Sequence, residues 1–438
     1  SRSVTAGDIF FAIQGERLDG HEFAAAALGA GAGVAIVSRV DDAMRAAGPL
    51  LVVGDTLEAL RALARAARER SRAQIIAVTG SVGKTGTKEA LRQALTVSGP
   101  THASSSSFNN HWGVPLSLAR LPRESAFAVF EIGMNHAGEI TPLTQLVRPH
   151  VAIITTIAPS HIGNFSSLQG IADAKAEIFL GLNGTGAVIL NRDNEFFDYL
   201  ASKARALGLT RITSFGQAAG SDARLIRSVL KETCSCVTAE IFGQETIYKV
   251  GAPGAHVVAN SLAVLAAVHL VGADLARAAV SLAALQPPKG RGERFVLAVA
   301  GKSFTLIDES YNANPESVRA ALALLGQSQP RKGGRRIAVL GDMLELGVQA
   351  GQMHAALSAS LDEAGCDRLY ASGPLMQNLW EQVPAAMRAH YATSSEDLVR
   401  PLLADIQPGD VVMVKGSLGS RMGLVVEALK KTFAQAGS

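Results

Sequence analysis

The run Thr79-Gly80-Ser81-Val82-Gly83-Lys84-Thr85 stands directly behind the apolar segment Ile75–Val78 and ahead of a helix-forming stretch that continues through Leu91. A buried strand that turns on glycines straight into a helix opens a βαβ unit, and βαβ units build parallel sheets. The same turn has a chemistry. Its glycines let backbone N–H groups close around a phosphate, Lys84 can neutralise terminal phosphates, the Thr85 hydroxyl is a donor of the kind Mg²⁺ accepts, and the helix N-terminus adds its dipole. Position 78 is valine where the longer eight-residue pattern has glycine, so this is the shorter G-x-x-G-K-T form. A glycine-rich turn with a chance Lys-Thr is the competing reading.

A chain of 438 residues exceeds one ordinary core, and at roughly 150 residues per domain it calls for about three. Residues 1–72 show short strand-like runs at Ile9–Ile13, Gly33–Val37 and Leu51–Val53, then a helix over Leu57–Arg70. From Ile75 the rhythm changes to continuous apolar runs, Ile75–Thr79, Phe127–Glu131, Val151–Ile157 and Ala187–Leu190, of the kind found in a sheet covered on both faces. Gln286-Pro-Pro-Lys-Gly-Arg-Gly-Glu-Arg294 reads as a hinge. Beyond it, strands at Phe304–Asp308, Ile337–Leu340 and Val411–Lys415 form another α/β unit. The expected architecture is α/β in three domains: a small N-terminal module over 1–72, a central P-loop-type parallel sheet over 73–290, and a Rossmann-like domain over 291–438.

Composition narrows the function classes. The 41 Lys and Arg against 38 Asp and Glu leave a formal charge of +3, too small and dispersed for a nucleic-acid partner. Cys234, Cys236 and Cys366 form no Cys-x-x-Cys pair, so neither a disulfide framework nor a zinc site is indicated, and a reducing, cytoplasmic setting fits. The first twenty residues carry too many charges for a signal peptide. The most apolar helix, near Leu262–Gly272, includes His269 and is too short for a membrane span.

Other residues at strand ends could complete a site. Glu131 closes the strand Phe127–Glu131 at the carboxyl edge, where α/β sheets bind ligands, and suits a Mg²⁺ contact; a surface glutamate is the bland alternative. His161, in Thr155-Thr-Ile-Ala-Pro-Ser-His161, reaches the same edge; alone, it is as easily a loop histidine. Lys175 sits in a helix beginning near Leu168 and, taken by itself, is a solvated lysine, since an ammonium would repel Mg²⁺. Asp308-Glu-Ser-Tyr-Asn-Ala-Asn314-Pro315 follows a strand and could hold a base and ribose, or simply cap a helix that starts at Pro315.

Together these stretches resemble the Mur ligase family over essentially the whole chain: Gly80–Thr85, Glu131, His161, Lys175, Asn260 in His256-Val-Val-Ala-Asn260, Arg291 and the Asp308–Pro315 loop occur in family order. Gly7-Asp8-Ile-Phe-Phe-Ala-Ile, Asp19-Gly20-His21, Asn109-Asn110-His-Trp-Gly113-Val-Pro115 and Ser310-Tyr-Asn-Ala-Asn-Pro315 are similar to the branch that adds D-alanyl-D-alanine. Ser1-Arg2 is similar to the tail of an Asp-Ser-Arg element that contacts uridine in relatives. Gly86 stands where threonine is common, and Val257 where several sister ligases have asparagine.

The resemblance implies ATP and Mg²⁺ as cofactors, with UDP-N-acetylmuramoyl-tripeptide and D-alanyl-D-alanine as partners. It also implies an acyl-phosphate route to the amide, and a monomer is expected, although the sequence does not reveal the oligomeric state. It assigns ATP to Gly80, Ser81, Val82, Gly83, Lys84, Thr85, Gly86, Asn260, Arg291, Asp308 and Asn314. Metal goes to Thr85, Glu131, His161 and a carbamylated Lys175, and substrate to Ser1, Asn109 and Asn110. Lys84, Lys175, His161 and Arg291 carry the chemistry. A sister ligase, a folate glutamate ligase, a P-loop switch protein and a non-catalytic nucleotide-binding scaffold are the competing readings.

Overall fold

Runs of apolar residues without alternation must be buried on both sides, and the computed structural model, which describes residues 4–15, 18–105 and 108–434, places them in that way. The N-terminal unit is a three-stranded parallel sheet of β1 (Ile9–Phe11), β2 (Val34–Val37) and β3 (Leu50–Val52), in that order. Buried His21 staples it. The imidazole pairs with Asp19 at 2.6 Å and accepts the Ser38 N–H at 2.9 Å. A side chain at Gly20 would meet Ile13 N at 2.6 Å, so this turn requires glycine. The helix Thr56–Arg70, N-capped by Asp55, leaves this sheet and reaches the central one: Thr56 donates to Ala12 O, Ala64 joins a central core cluster, and Arg68 Nε donates to Val147 O.

The central sheet comprises β4 (Gln74–Thr79), β5 (Thr101–Ala103), β6 (Phe127–Glu131), β7 (Val151–Ile154), β8 (Ala187–Asn191), β9 (Arg211–Gly216), β10 (Ala223–Leu230), β11 (Ser235–Ile241) and β12 (Gln244–Val250). Its order is β5-β6-β4-β7-β8-β9-β10-β11-β12, parallel from β5 through β10 and antiparallel across the last two pairs. Ile76 and Val78 of β4 face one core cluster, Ile75 and Ala77 the other. The helix Ala255–Leu270, apolar through Leu262–Val268, lies inside the first cluster with Leu262, Leu265 and Val268 fully buried. Burial of each such side chain contributes about 1.5–3 kcal/mol. Among the described residues no helix is long and apolar enough to cross a membrane.

The third sheet has β13 (Glu293–Val299), β14 (Lys302–Glu309), β15 (Arg336–Gly341), β16 (Arg368–Ser372), β17 (Arg388–Ala392) and β18 (Val411–Lys415), in the order β13-β14-β18-β15-β16-β17. All pairs are parallel except the β13–β14 hairpin. Helices cover both faces, Pro315–Gln327 on one and Ser395–Asp405 with Gly423–Thr432 on the other.

Two expectations are corrected. The strand expected over Val151–Ile157 stops at Ile154, because Thr155–Ala158 turn aside to brace the phosphate loop. The hinge expected to run to Arg294 ends at Gly292: Glu293 and Arg294 already pair with Asp308 and Ile307, and Arg294 is held by Glu232 at 2.8 Å and Ser328 at 2.6 Å.

Candidate active site

The carboxyl ends of β4, β6 and β7 face the carboxyl ends of β14, β15 and β18 across a cavity of about 440 Å³, within the usual range for small-molecule sites. On the central side, Gly80 and Gly83 adopt φ +144° and +87°. Added side chains there would collide with Thr155 Oγ1 at 1.9 Å and Asn260 Nδ2 at 2.5 Å, so sterics as well as backbone conformation demand glycine. The loop is held from behind. Ser81 Oγ donates to Ala158 O at 2.8 Å, Ser81 N to Thr156 O at 2.9 Å, and Thr155 Oγ1 to Val82 O at 2.5 Å.

Gly83 is the N-cap of the helix Lys84–Thr96 and offers no capping side chain, so the first-turn amides point at the cavity without a side-chain acceptor. Lys84 Nζ donates to Gly80 O at 2.8 Å. Its pKa is lowered by burial, opposed by the nearby Glu131 charge and reinforced by Arg291. Arg291, from the interdomain linker, lays its guanidinium over the Tyr311 ring at 4.3 Å, which keeps that charge at the cavity wall.

Glu131 is 1% exposed. Thr85 Oγ1 donates to its Oε2 at 2.9 Å, and Asn109 Nδ2 to its Oε1 at 2.7 Å. A hydroxyl and a buried carboxylate at the mouth of a phosphate loop are hard oxygen donors, and Mg²⁺ is commonly held by one or two carboxylates together with phosphate oxygens and water. Thr85 and Glu131 therefore fit a Mg²⁺ ion. Among the described residues, this site included, no group of three His, Cys, Asp or Glu side chains gathers into a metal site.

His161 lines the cavity with φ +56°, its Nδ1 paired with Glu345 of the third domain. Burial lowers its pKa, with Glu345 opposing and Lys84 reinforcing that shift. Lys175 is not the solvated helix lysine of the bland reading. It is 2% exposed, and its ammonium makes no hydrogen bond or ion pair with another described residue. Its pKa falls well below the usual lysine range, first through burial and then through Lys84.

The remaining expected residues divide. Gly86 lines the cavity, with open space where a side chain would stand; Asn260 and Asn314 line it too, although Asn314 also caps the helix at Pro315 by accepting Ser317 N–H at 2.8 Å. Asp308 lies beneath its loop with its carboxylate turned to Ser310 N and Oγ, and Asn110 caps the helix Gly113–Ala119 through Gly113 N; neither lines the cavity. Ser1 lies outside the described residues.

Sequence reasoning missed several wall residues. Lys415, 3% exposed, bonds Glu309 at 3.1 Å and Asn312 O at 3.0 Å. Both charges end strands at the carboxyl edge of a parallel sheet, a position that could have flagged them. The apolar lining residues Pro253, Val257, Ala320 and Leu324 had no local signal, because they reach the cavity from two domains.

Three family models match in order: "Mur ligase family, catalytic domain" over residues 1–68, "Mur ligase middle domain" over 78–268, and "Mur ligase, glutamate ligase domain" over 290–418. A UDP-N-acetylmuramoyl-tripeptide–D-alanyl-D-alanine ligase of Escherichia coli is 35% identical over 433 residues, covering 98% of this chain and 92% of the relative. The chain belongs to the Mur ligase family. Another Mur ligase of the same description, from Rickettsia prowazekii, is 32% identical across 98% of this chain and 93% of its own length. Among solved structures, MurF from Acinetobacter baumannii superposes with a TM-score of 0.85 at 32% identity, covering 98% of this chain and 92% of that one. MurF ligase from Thermotoga maritima in complex with ADP gives 0.77 at 26%, with 98% and 96% covered.

Proposed function

We infer that this Mur ligase is an ATP-dependent, ADP-forming enzyme that joins D-alanyl-D-alanine to a UDP-N-acetylmuramoyl-tripeptide in peptidoglycan precursor synthesis. The observation that carries this reading is full-length similarity to relatives of that description, in a chain whose phosphate loop opens onto a two-domain cavity. The domains are taken as 1–72 for the UDP-bearing substrate, 73–290 for ATP and 291–438 for completing the ligase site.

Amide formation from a carboxylate needs an activated acyl group. The tripeptide carboxylate oxygen attacks the γ-phosphorus of ATP, the bond to the β-phosphate oxygen breaks, and ADP leaves. The dipeptide amine then adds to the acyl carbon, and the tetrahedral adduct collapses to amide and phosphate, with one carboxylate oxygen carried away on phosphorus and a proton lost from nitrogen. Lys84, Arg291 and the first-turn amides of the helix at Lys84 offset the repulsion between carboxylate and triphosphate and stabilise charge as it builds. Mg²⁺ held by Thr85 and Glu131 would screen the phosphate oxygens. Pro253, Val257, Ala320 and Leu324 give the cavity apolar lining suited to a base, and Asn260 and Asn314 line the same cavity with amide groups able to bond it.

Lys175 fits the carbamylated state that the family resemblance implies. A buried, unpartnered ammonium is costly, and a neutral amine is the form that adds carbon dioxide to give an anionic carbamate. The carbamate and His161 would then supply oxygen and nitrogen donors for a second metal contact.

The test follows one labelled atom. With heavy oxygen in the tripeptide carboxylate, each turnover should yield ADP, pentapeptide product and one phosphate carrying a single labelled oxygen; unlabelled phosphate alongside product would rule out the acyl phosphate.

A further inference from the structure

Two loops from different domains meet at the edge of the cavity. Ser160–Asn164 follows β7, and Leu344–Gly347 follows β15. His161 and Glu345 both adopt left-handed backbone conformations, φ +56° and +63°, and their side chains pair. Gly163 N donates to the carbonyl of the same Glu345 at 2.9 Å. Ile162 packs into the apolar cluster of the third domain as well as that of the central one. The backbones approach more closely than side chains would permit: a Cβ on Gly163 would stand 2.8 Å from Gly347 N, and one on Gly347 2.9 Å from Gly163 Cα.

We propose that Glu345 is a positioning residue for the ligation reaction, joining the third domain to the Ser160–Asn164 loop and fixing His161 through the same contact. This deepens the ligase reading and rests on it. One residue makes two bonds to the opposite domain, a side-chain bond to the imidazole and a backbone bond two residues further on. When the loops part, both are lost together. With Nδ1 occupied by Glu345, Nε2 is the ring nitrogen left for the cavity, so the imidazole is set for chemistry only while the third domain is docked. An ion pair half open to water is a weak glue by itself. Its value lies in orientation, and misplacement of a reacting constellation by about 1 Å lowers rates by about 10²-fold.

The two glycines separate docking from folding. Gly163 has no left-handed backbone requirement, so Gly163→Ala meets no atom of its own domain among the nearest contacts and obstructs the approach of Gly347 and of the Glu345 carbonyl, 3.0 Å away. Gly163→Ala and Glu345→Ala should each lower kcat by about 10-fold or more. Melting temperature should stay near wild type, and small-angle X-ray scattering with ADP should show a more open particle. Glu345→Gln keeps the backbone carbonyl and a side-chain oxygen able to accept from Nδ1–H, and should restore kcat to within about threefold of wild type. Wild-type kcat in both alanine variants overturns the proposal, as does a drop in melting temperature with unchanged kcat per folded molecule. A wild type that binds ADP yet forms no pentapeptide overturns the ligase reading instead. Scattering of Gly163→Ala then still decides the docking contact, an unchanged profile contradicting it.

Discussion

Thr85 donates its hydroxyl to Glu131 Oε2 at 2.9 Å, so the first turn of the helix behind the phosphate loop is tied to the end of the neighbouring strand β6. The carboxylate accepts this hydrogen bond and is also the proposed Mg²⁺ contact, and Glu131→Gln separates the two. The amide can still accept from Thr85, but the charge is gone. Folding should persist while the Mg²⁺ concentration needed for half-maximal turnover rises about 10-fold or more, and chelation by EDTA should abolish turnover of the wild type. An unaltered Mg²⁺ titration would remove Glu131 from the metal site.

Lys84→Ala deletes the ammonium proposed to meet the phosphates and leaves the backbone donors of Gly80–Thr85 in place. Loss of one such contact, worth a few kcal/mol in the transition state, should lower kcat by about 10²-fold or more. Circular dichroism should be unchanged. Near-normal turnover would mean that the cradle is misassigned.

Lys175→Ala should be inactive, and a small carboxylate such as acetate should partly restore turnover by entering the vacated space. Lys175→Arg should gain no rescue, and removal of carbon dioxide should slow the wild type. Full activity of Lys175→Ala in carbon-dioxide-free buffer would contradict the carbamate.

His354 gives a pH dependence to the third domain. It is fully buried, accepts Met343 N–H through Nε2 at 2.9 Å, and bonds Ala350 O through Nδ1 at 2.6 Å. Burial lowers its pKa from 6.5, against the opposing pull of the Ala350 carbonyl and Asp342. The unfolded chain therefore binds this proton more readily than the folded one. Stability is full above about pH 6.5 and is lost as pH falls through the depressed folded value. Thermal melts of wild type and His354→Gln should differ in slope against pH on the acid side, with the variant flatter. Parallel curves would exclude His354 as the source.

The legible parts of this fold were those with one-dimensional signals. β6 and β18 have the expected limits because Phe127–Glu131 and Val411–Lys415 are unbroken apolar runs closed by a charge. The cradle was legible from two glycines and a lysine. The hairpin β10–β12 was not: its outer positions carry Arg224, Glu240 and Lys249, and the turn between β11 and β12 uses Phe242 at φ +48° before Gly243, where Asn-Gly is the usual mark. Thr155–Ile157 read as strand because β-branched residues suit both a sheet and a stiff bracing turn. Lys175 was ambiguous because nine helical residues without a clear apolar stripe do not show which face is buried, and the pairing of Glu345 with His161 spans 184 residues.

The amine requirement is the most direct test of the central claim. Phosphate release from ATP would be measured with UDP-N-acetylmuramoyl-tripeptide and, in turn, D-alanyl-D-alanine, L-lysine, D-glutamate and no amine. The account predicts sustained release with the dipeptide alone. Equal turnover with L-lysine or D-glutamate, or release that ignores the tripeptide, would contradict it.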